Sequence, residues 1–527
     1  MTVEKRQLSM TEATRSKKKA AASVEIEAQS TDATKLFNHL YQACNVLHGH
    51  ISHENFKEYI IPLLFLQRLS DCYDEETLTA VQNYGEDIDL FEESELHAFI
   101  IPSGCHWGDL RQVTEDVGQA IVNAMMGIEH ANPDTMAGLY SAFDDASWTD
   151  KGKLSDADLK DLIEHMSTIR KGNTNYSADI MGDAYEFLIK KFADLSKKNA
   201  GEFYTPRSIV KLMVQLLAPK PGDTVYDPTC GSAGMLISSI AWIREHGQEY
   251  RNVHVYGQEI NDLTSAIGRM NLFLHGISDF QIVTGDTLKA PAFVEGGRVQ
   301  QFDLVLANPP YSIKQWDRTA FENDKYGRNF LGTPPQGRAD YAFFQHILKS
   351  MKPVTGRCAI LFPHGVLFRE EESTLRENLV RSDLIECVIG LGPNLFFNAP
   401  MEACIVICRT LKPADRKHKV LFINAVDEVT RKNAQSYLED VHIAHIAGAY
   451  LSGADEDGYS RLVDEEEIAG NRFNLSIPLY VRKKGVEPVP LNLQECLDSW
   501  QENAALMHSA LETVVAMIEG DGGETDE

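Results

Sequence analysis

From Thr31 the chain carries apolar residues at three- and four-residue steps. Leu36, Phe37, Leu40, Tyr41, Cys44 and Leu47 fall on one helical stripe. Phe56, Tyr59, Ile60, Leu63, Leu64 and Leu69 repeat the pattern. A kink is expected at Pro62, whose ring removes an N–H and crowds the preceding turn. After an acidic stretch, helical spacing returns around Leu159 to Ile169 and Ser177 to Leu195. Residues 31–200 are therefore expected to form an all-helical domain, although the apolar stripes say only that helices pack together.

Beyond residue 200 the texture changes. Short β-rich runs are predicted at Thr224–Asp227, Val253–Gln258, Gln281–Val283, Asp303–Ala307, Cys358–Phe362, Ile385–Ile389, Cys404–Cys408 and Val420–Ile423. Helical patterns separate most of them, at Gly234–His246, Leu263–His275 and Tyr341–Met351. This alternation predicts an α/β domain over residues 201–480, with a mostly parallel, Rossmann-like sheet covered on both faces. A ligand is then expected at the carboxyl ends of the strands, near the point where the strand order reverses. In the C-terminal segment, residues 481–527, the apolar positions are Leu493, Leu497, Trp500, Ala504, Met507, Leu511, Val514 and Ile518. Their spacing by alternating fours and threes predicts a helical tail with a heptad seam, suited to another long helix of this chain or of a partner. Gly520 to Glu527 form an acidic end.

Composition narrows the class. A chain of 527 residues, 43% hydrophobic and 24% charged, is long enough for two or three globular domains. Neither a membrane-spanning run nor an apolar signal core is visible, so a cytoplasmic protein without membrane contact is expected. The nine cysteines are scattered, and Cys387, Cys404 and Cys408 lie within apolar runs. Without paired CxxC elements, neither a zinc site nor a disulfide framework is suggested, and no metal is expected. Residues 1–30 are polar, with a basic cluster at Arg15, Lys17, Lys18 and Lys19. They are read as a flexible basic arm, more simply a solvated tail than a nucleic-acid contact. The net charge of -27 argues against a chain that grips nucleic acid unaided, because phosphate neutralisation supplies most of that binding.

Candidate chemistry sits at the strand ends. Asp227-Pro228-Thr229-Cys230-Gly231-Ser232-Ala233-Gly234-Met235 follows the first β-run and precedes a helix. Small residues at Gly231, Ser232, Ala233 and Gly234 let the backbone turn sharply and approach a ligand, and the helix amino terminus favours a negative group. A turn of this kind occurs in many nucleotide-binding folds. Glu259 closes the second run, where a carboxylate can accept hydrogen bonds from ribose hydroxyls, although a surface Glu in a loop fits as well. Asp286 follows the third run and could meet the adenine end of a cofactor or simply serve a turn.

Asn308-Pro309-Pro310-Tyr311, directly after Phe302 to Ala307, carries the most specific signal. An amino group conjugated to an aromatic ring is planar and weakly nucleophilic. The Asn308 side-chain oxygen and a main-chain carbonyl near Pro309 can accept its two N–H bonds, favouring a tetrahedral nitrogen with its lone pair free. The paired prolines fix φ and make the carbonyl direction rigid. Tyr311 offers a ring face for a base flipped out of a duplex. A rigid turn is the bland alternative, but the motif alone already favours the functional reading, and the upstream glycine turn and Glu259 in the expected order strengthen it. Upstream again lies Gly201-Glu202-Phe203-Tyr204-Thr205-Pro206-Arg207. Thr205 suits a helix N-cap and Pro206 the first helical position, which leaves Phe203, Tyr204 and Arg207 without a local reason.

Together these residues resemble the amino-methyltransferases of DNA. The match is closest to the modification (HsdM-type) subunit of type I restriction-modification systems. That family combines a helical N-terminal domain, the Gly-Asp-Ala-Tyr-Glu-Phe-Leu helix seen here at Gly182 to Leu188, the strip Glu202 to Arg207, the glycine turn, Glu259 and Asn308 to Tyr311. The resemblance runs from about Thr31 to about Leu479. It implies that Glu202, Phe203, Tyr204, Thr205, Pro206, Arg207, Ser232, Ala233, Gly234 and Glu259 bind S-adenosyl-L-methionine, and Asp227, Gly231 and Asp286 are further cofactor candidates by their places at the strand ends. It implies also that Asn308, Pro309, Pro310 and Tyr311 hold a flipped adenine of double-stranded DNA for methylation at N6. Ala233 stands where the family often has Gly, and Met235 where Phe is frequent; both bear on cofactor packing. The family works as two modification subunits with one DNA specificity subunit, and a restriction motor-nuclease subunit can join them. No target-recognition domain is visible in this chain, which agrees with its acidic charge. RNA bases and protein glutamines are the alternative substrates of the same chemistry, and a methyltransferase-fold scaffold without catalysis is the non-enzymatic alternative.

Overall fold

The computed structural model describes residues 33–84, 97–143, 146–195, 205–396, 402–432, 435–482 and 493–520. In chain order the strands are β1 (Thr224–Asp227), β2 (His254–Glu259), β3 (Phe280–Thr284), β4 (Val294–Glu295), β5 (Arg298–Val299), β6 (Leu304–Ala307), β7 (Arg357–Pro363), β8 (Ile385–Leu391), β9 (Ala403–Arg409), β10 (Lys419–Ala425), β11 (Thr430–Lys432), β12 (Gln435–Tyr437) and β13 (Ser460–Asp464). Nine of them form one sheet in the order β13-β10-β8-β9-β7-β6-β1-β2-β3, while β4-β5 and β11-β12 are small hairpins.

The eight predicted β-runs all fall on strands of this sheet. Strands β6, β7 and β8 are buried along their whole length, as apolar runs covered on both faces should be. Pairing is parallel from β3 through β2, β1 and β6 to β7. It turns antiparallel where β9 enters between β7 and β8, and again at β13 on the edge. Periodicity could not have told strand direction at β9, whose apolar run reads the same either way.

This order positions the site. From β1 the chain proceeds outward to β2 and β3, then returns to the other side of β1 as β6. The reversal lies between β1 and β6, so a crevice opens beyond their carboxyl ends, at Asp227 and Ala307. β2 runs parallel to β1 and brings Glu259 to the same edge.

The N-terminal helices include Phe56–Tyr84, Val117–Ala131, Asp156–Ser167 and Ala178–Leu195. The first of these continues for several turns past Pro62. Their apolar faces share one core with Ala266, Ile267, Met270 and Leu274 of the sheet helix Asp262–Leu274. Across this junction the Tyr185 hydroxyl donates to the Ile267 carbonyl at 3.1 Å. Helices over Leu493–Gly520 and the N-terminal region are the longest, yet among the described residues none is apolar enough to cross a membrane. The predicted C-terminal helix is present, and its seam residues Leu497, Trp500, Met507 and Leu511 are exposed, Trp500 by 68%.

Candidate active site

The β1 turn is held from three sides. Gly231 and Ala233 both take left-handed backbone, at φ 53° and 63°. That explains why glycine suits position 233: an L-residue there costs about 1 kcal/mol. The Glu259 carboxylate accepts from the backbone N–H of Gly231 at 3.1 Å and from that of Asn261 at 3.0 Å. From behind, the Asn271 amide donates to the Ser232 carbonyl at 2.9 Å, and Gly268 packs directly on the turn. Helix Gly234–Glu245 then starts with its amino terminus toward the crevice, and a side chain added at Gly234 would meet open space.

Asn308 stands opposite this turn. Both line one concavity, partly open to solvent, with Asp227, Thr229, Val210, Met235, Thr205 and Arg207 on its walls. The Asn308 amide nitrogen donates to the Thr205 hydroxyl at 2.9 Å, which leaves the amide oxygen as the free acceptor. Pro309 is buried and Pro310 half-buried, so the carbonyls here have little freedom to reorient. The Tyr311 hydroxyl is buried and the residue half-exposed, so the ring points its polar end inward.

One predicted role changes, and of the two read for Asp286 the turn one is seen. Thr205 is not the helix N-cap: the helix spans Arg207–Leu217 with Pro206 in the cap position, and the Thr205 hydroxyl is engaged with Asn308 instead. Asp286 accepts from the backbone N–H groups of Leu288 and Lys289, at 2.9 and 3.1 Å, which is the turn role. Arg207 pairs with Glu186 and, at 2.9 Å, with Asp183, both on helix Ala178–Leu195. The strip before the sheet is thereby tied to the N-terminal helices. Glu202, Phe203 and Tyr204 lie outside the described residues.

Burial dominates the electrostatics. It pushes the Asp227 carboxyl up to about 7, with Glu259 adding to the effect against a hydrogen bond from Thr229. Glu259 is raised for the same reason, opposed by the backbone N–H groups it accepts from. The Thr229 hydroxyl is buried without a protein partner. Sequence reasoning missed Gly268, Asn271 and Glu186. A glycine inside the amphipathic helix after Glu259 was the available signal for the first of these.

Residues 176–488 match the family model described as N-6 DNA Methylase, and residues 36–166 match that of the HsdM N-terminal domain. The chain is 31% identical over 484 residues to the type I restriction enzyme MjaVIII methylase subunit of Methanocaldococcus jannaschii, covering 86% of this chain and 79% of that one. It is 28% identical to the MpnII methylase subunit of Mycoplasma pneumoniae, over 84% and 89% of the two chains. A solved type I restriction-modification methyltransferase subunit from Streptococcus thermophilus superposes with a TM-score of 0.74 at 30% identity, covering 85% of this chain and 99% of that one. With the glycine turn and Asn308-Pro309-Pro310-Tyr311 facing each other across the β1–β6 crevice, the chain belongs to the adenine-specific N6 DNA methyltransferases, S-adenosylmethionine-dependent in fold, as an HsdM-type modification subunit of a type I restriction-modification system.

Proposed function

We propose that S-adenosylmethionine occupies the crevice between the β1 turn and Asn308, and that the target adenine enters with its amino group against the Asn308 amide oxygen. The observation that carries this reading is the Thr205–Asn308 hydrogen bond, which commits the amide nitrogen and frees the oxygen. The crevice fits the cofactor: a buried carboxyl at Asp227 suits an ammonium group, and an open helix terminus at Gly234 suits a carboxylate. Val210 and Met235 supply apolar wall. Ser232 completes the turn side of the pocket, and Glu259 holds that turn through the Gly231 N–H. When bound, the cofactor supplies an electrophilic methyl on sulfur. The work of the chain is to draw the adenine N–H bonds toward Asn308 Oδ1 and the rigid carbonyl beside Pro309, leaving the nitrogen lone pair directed at that methyl. The proton leaves after transfer, so no strong base is needed at the site.

Asp227 gives this reading a pH test. With its carboxyl near 7, about half the free protein carries the anion at neutral pH. A cationic ligand group selects that anion, so binding strengthens as pH rises through this value and levels off above it. Between pH 6 and 7.5, titration calorimetry should show cofactor affinity rising by roughly eightfold, and Asp227→Asn should flatten the rise. A flat profile in the unsubstituted protein would remove Asp227 from the cofactor site.

Target recognition is assigned to a separate DNA specificity subunit, bound by two copies of this chain, and a restriction motor-nuclease subunit can join the assembly. The exposed apolar residues of helix Leu493–Gly520 support a partner contact, since a lone helix gains nothing by presenting Leu497, Trp500 and Met507 to water. Ending the chain at residue 491 should abolish co-purification with the specificity subunit while cofactor binding persists. Assembly that survives the truncation would assign the seam elsewhere.

A further inference from the structure

The chain leaves the Asn308-Pro309-Pro310-Tyr311 segment through a strained residue. Ser312 has φ 52°, the left-handed region that β-carbon-bearing residues avoid at a cost of about 1–3 kcal/mol. Such a conformation persists only where its surroundings dictate it, and here they are charged. The Ser312 backbone N–H donates to Asp340 Oδ1 at 2.9 Å. The Ser312 hydroxyl lies 3.5 Å from Asp340 Oδ2 and 3.3 Å from both Arg338 Nη1 and Arg369 Nη2. Arg369 closes the ring, because its Nη1 donates to Asp340 Oδ2 at 2.8 Å. The Asp340 side chain is 1% exposed and that of Arg369 16%, so water screens this pair little.

Arg369 is itself held in place. Its backbone N–H donates to the Gly365 carbonyl at 3.0 Å, and a Cβ at Gly365 would collide with its guanidinium. Its carbonyl accepts from Arg376 Nη1 at 2.9 Å, and Arg376 is buried. Glu372 lies 3.5 Å from Arg369 Nη1 but makes no hydrogen bond through either carboxylate oxygen. Burial pushes the Glu372 carboxyl up to about 7, opposed by Arg369, whose guanidinium donates instead to Asp340 and to the Ser312 hydroxyl. Tyr311, one residue before Ser312, has a buried hydroxyl without a protein partner. Nothing at the tip of its own ring fixes it, and its direction is set by the backbone on either side.

We infer that Arg369 is a positioning residue for methyl transfer: its guanidinium bridges Asp340 and Ser312, locks the left-handed turn at Ser312, and so aims Tyr311 and the prolines before it at the target base. The inference rests on the assignment of Asn308 to Tyr311 as the adenine site. It predicts that the guanidinium acts through backbone direction and touches neither cofactor nor DNA. Glycine takes the Ser312 conformation without strain, so a glycine there should relieve the need for the clamp.

The test uses the full chain co-purified with its specificity subunit, acting on a duplex that holds the target. Arg369→Gln should lower kcat by roughly 10- to 100-fold, the range expected when reacting groups are displaced by about 1 Å. Cofactor affinity should stay unchanged, Tm should fall because Asp340 loses its buried partner, and the fluorescence rise of 2-aminopurine at the target position should be diminished. Adding Ser312→Gly to Arg369→Gln should recover most of the lost kcat, which a general packing defect would not permit. If Arg369→Gln does not fold, Arg369→Lys keeps the charge, loses the fork geometry and serves in the same cycle. A folded variant with kcat within about twofold, a loss that Ser312→Gly does not repair, or a matching loss of cofactor affinity would each overturn the inference. Asn308→Ala assayed in parallel separates the two levels: if it too retains full kcat, the failure lies with the adenine-site assignment.

Discussion

Replacing Asn308 with alanine should leave cofactor affinity intact and cut kcat at least about thirtyfold, corresponding to about 2 kcal/mol or more of transition-state stabilisation. The aromatic amine has its lone pair delocalised into the ring, and only an acceptor placed outside the ring plane can bias the nitrogen toward attack. Asn308 Oδ1 is the side-chain acceptor at the end of β6, and its direction is fixed because the amide nitrogen is spent on the Thr205 hydroxyl at 2.9 Å. The effect belongs in kcat, since the interaction strengthens as the nitrogen becomes tetrahedral and contributes little to the bound ground state. Thr205→Val should fall between the two, losing the orienting bond while keeping the acceptor. Steady-state kinetics with the intact complex decide this, and an Asn308→Ala enzyme with unchanged kcat would contradict the role.

The second large effect is expected on the far side of the crevice. A Cβ at Gly268 would stand 2.8 Å from the Gly231 carbonyl oxygen and 3.4 Å from the Ser232 carbonyl carbon. Those neighbours are backbone atoms of a turn already wound through left-handed angles, so no flexible side chain can swing away. Gly268→Val must displace the turn or the helix Asp262–Leu274, at a cost of about 1–3 kcal/mol. Displacement of the turn would also break the Asn271–Ser232 bond, the Glu259–Gly231 bond or both. Calorimetry should show cofactor affinity weakened by roughly 5- to 150-fold, with Tm lowered as well. Unchanged affinity in a folded Gly268→Val protein would mean that the turn does not carry the cofactor.

Gly268 also marks the limit of what the linear pattern could give. Strand positions were legible because buried parallel strands are short apolar runs, and the site's location followed once those runs alternated with helices. Asp227 to Gly234 and Asn308 to Tyr311 were legible because each motif is continuous in the chain and ends a strand. The groups that hold these motifs are remote in sequence. Thr205 meets Asn308 across 103 positions, and Asn271 meets Ser232 across 39. Local propensity reads Thr205 as a cap and Asn271 as one more polar residue in a helix, and only the fold brings them to their partners. The clamp on Ser312 was hidden for the same reason, since Asp340 and Arg369 belong to separate elements. The heptad seam was visible, but spacing alone did not say whether its partner lay within the chain.

The most direct measurement is methyl transfer from labelled S-adenosylmethionine into unmethylated duplex DNA, with and without the specificity subunit, followed by nucleoside analysis of the product. N6-methyladenine formed only in the presence of that subunit is the predicted result, and it joins the Asn308 chemistry to recognition supplied by a partner. Label on any other nucleoside, or no label while the cofactor binds and the subunits assemble, would contradict it.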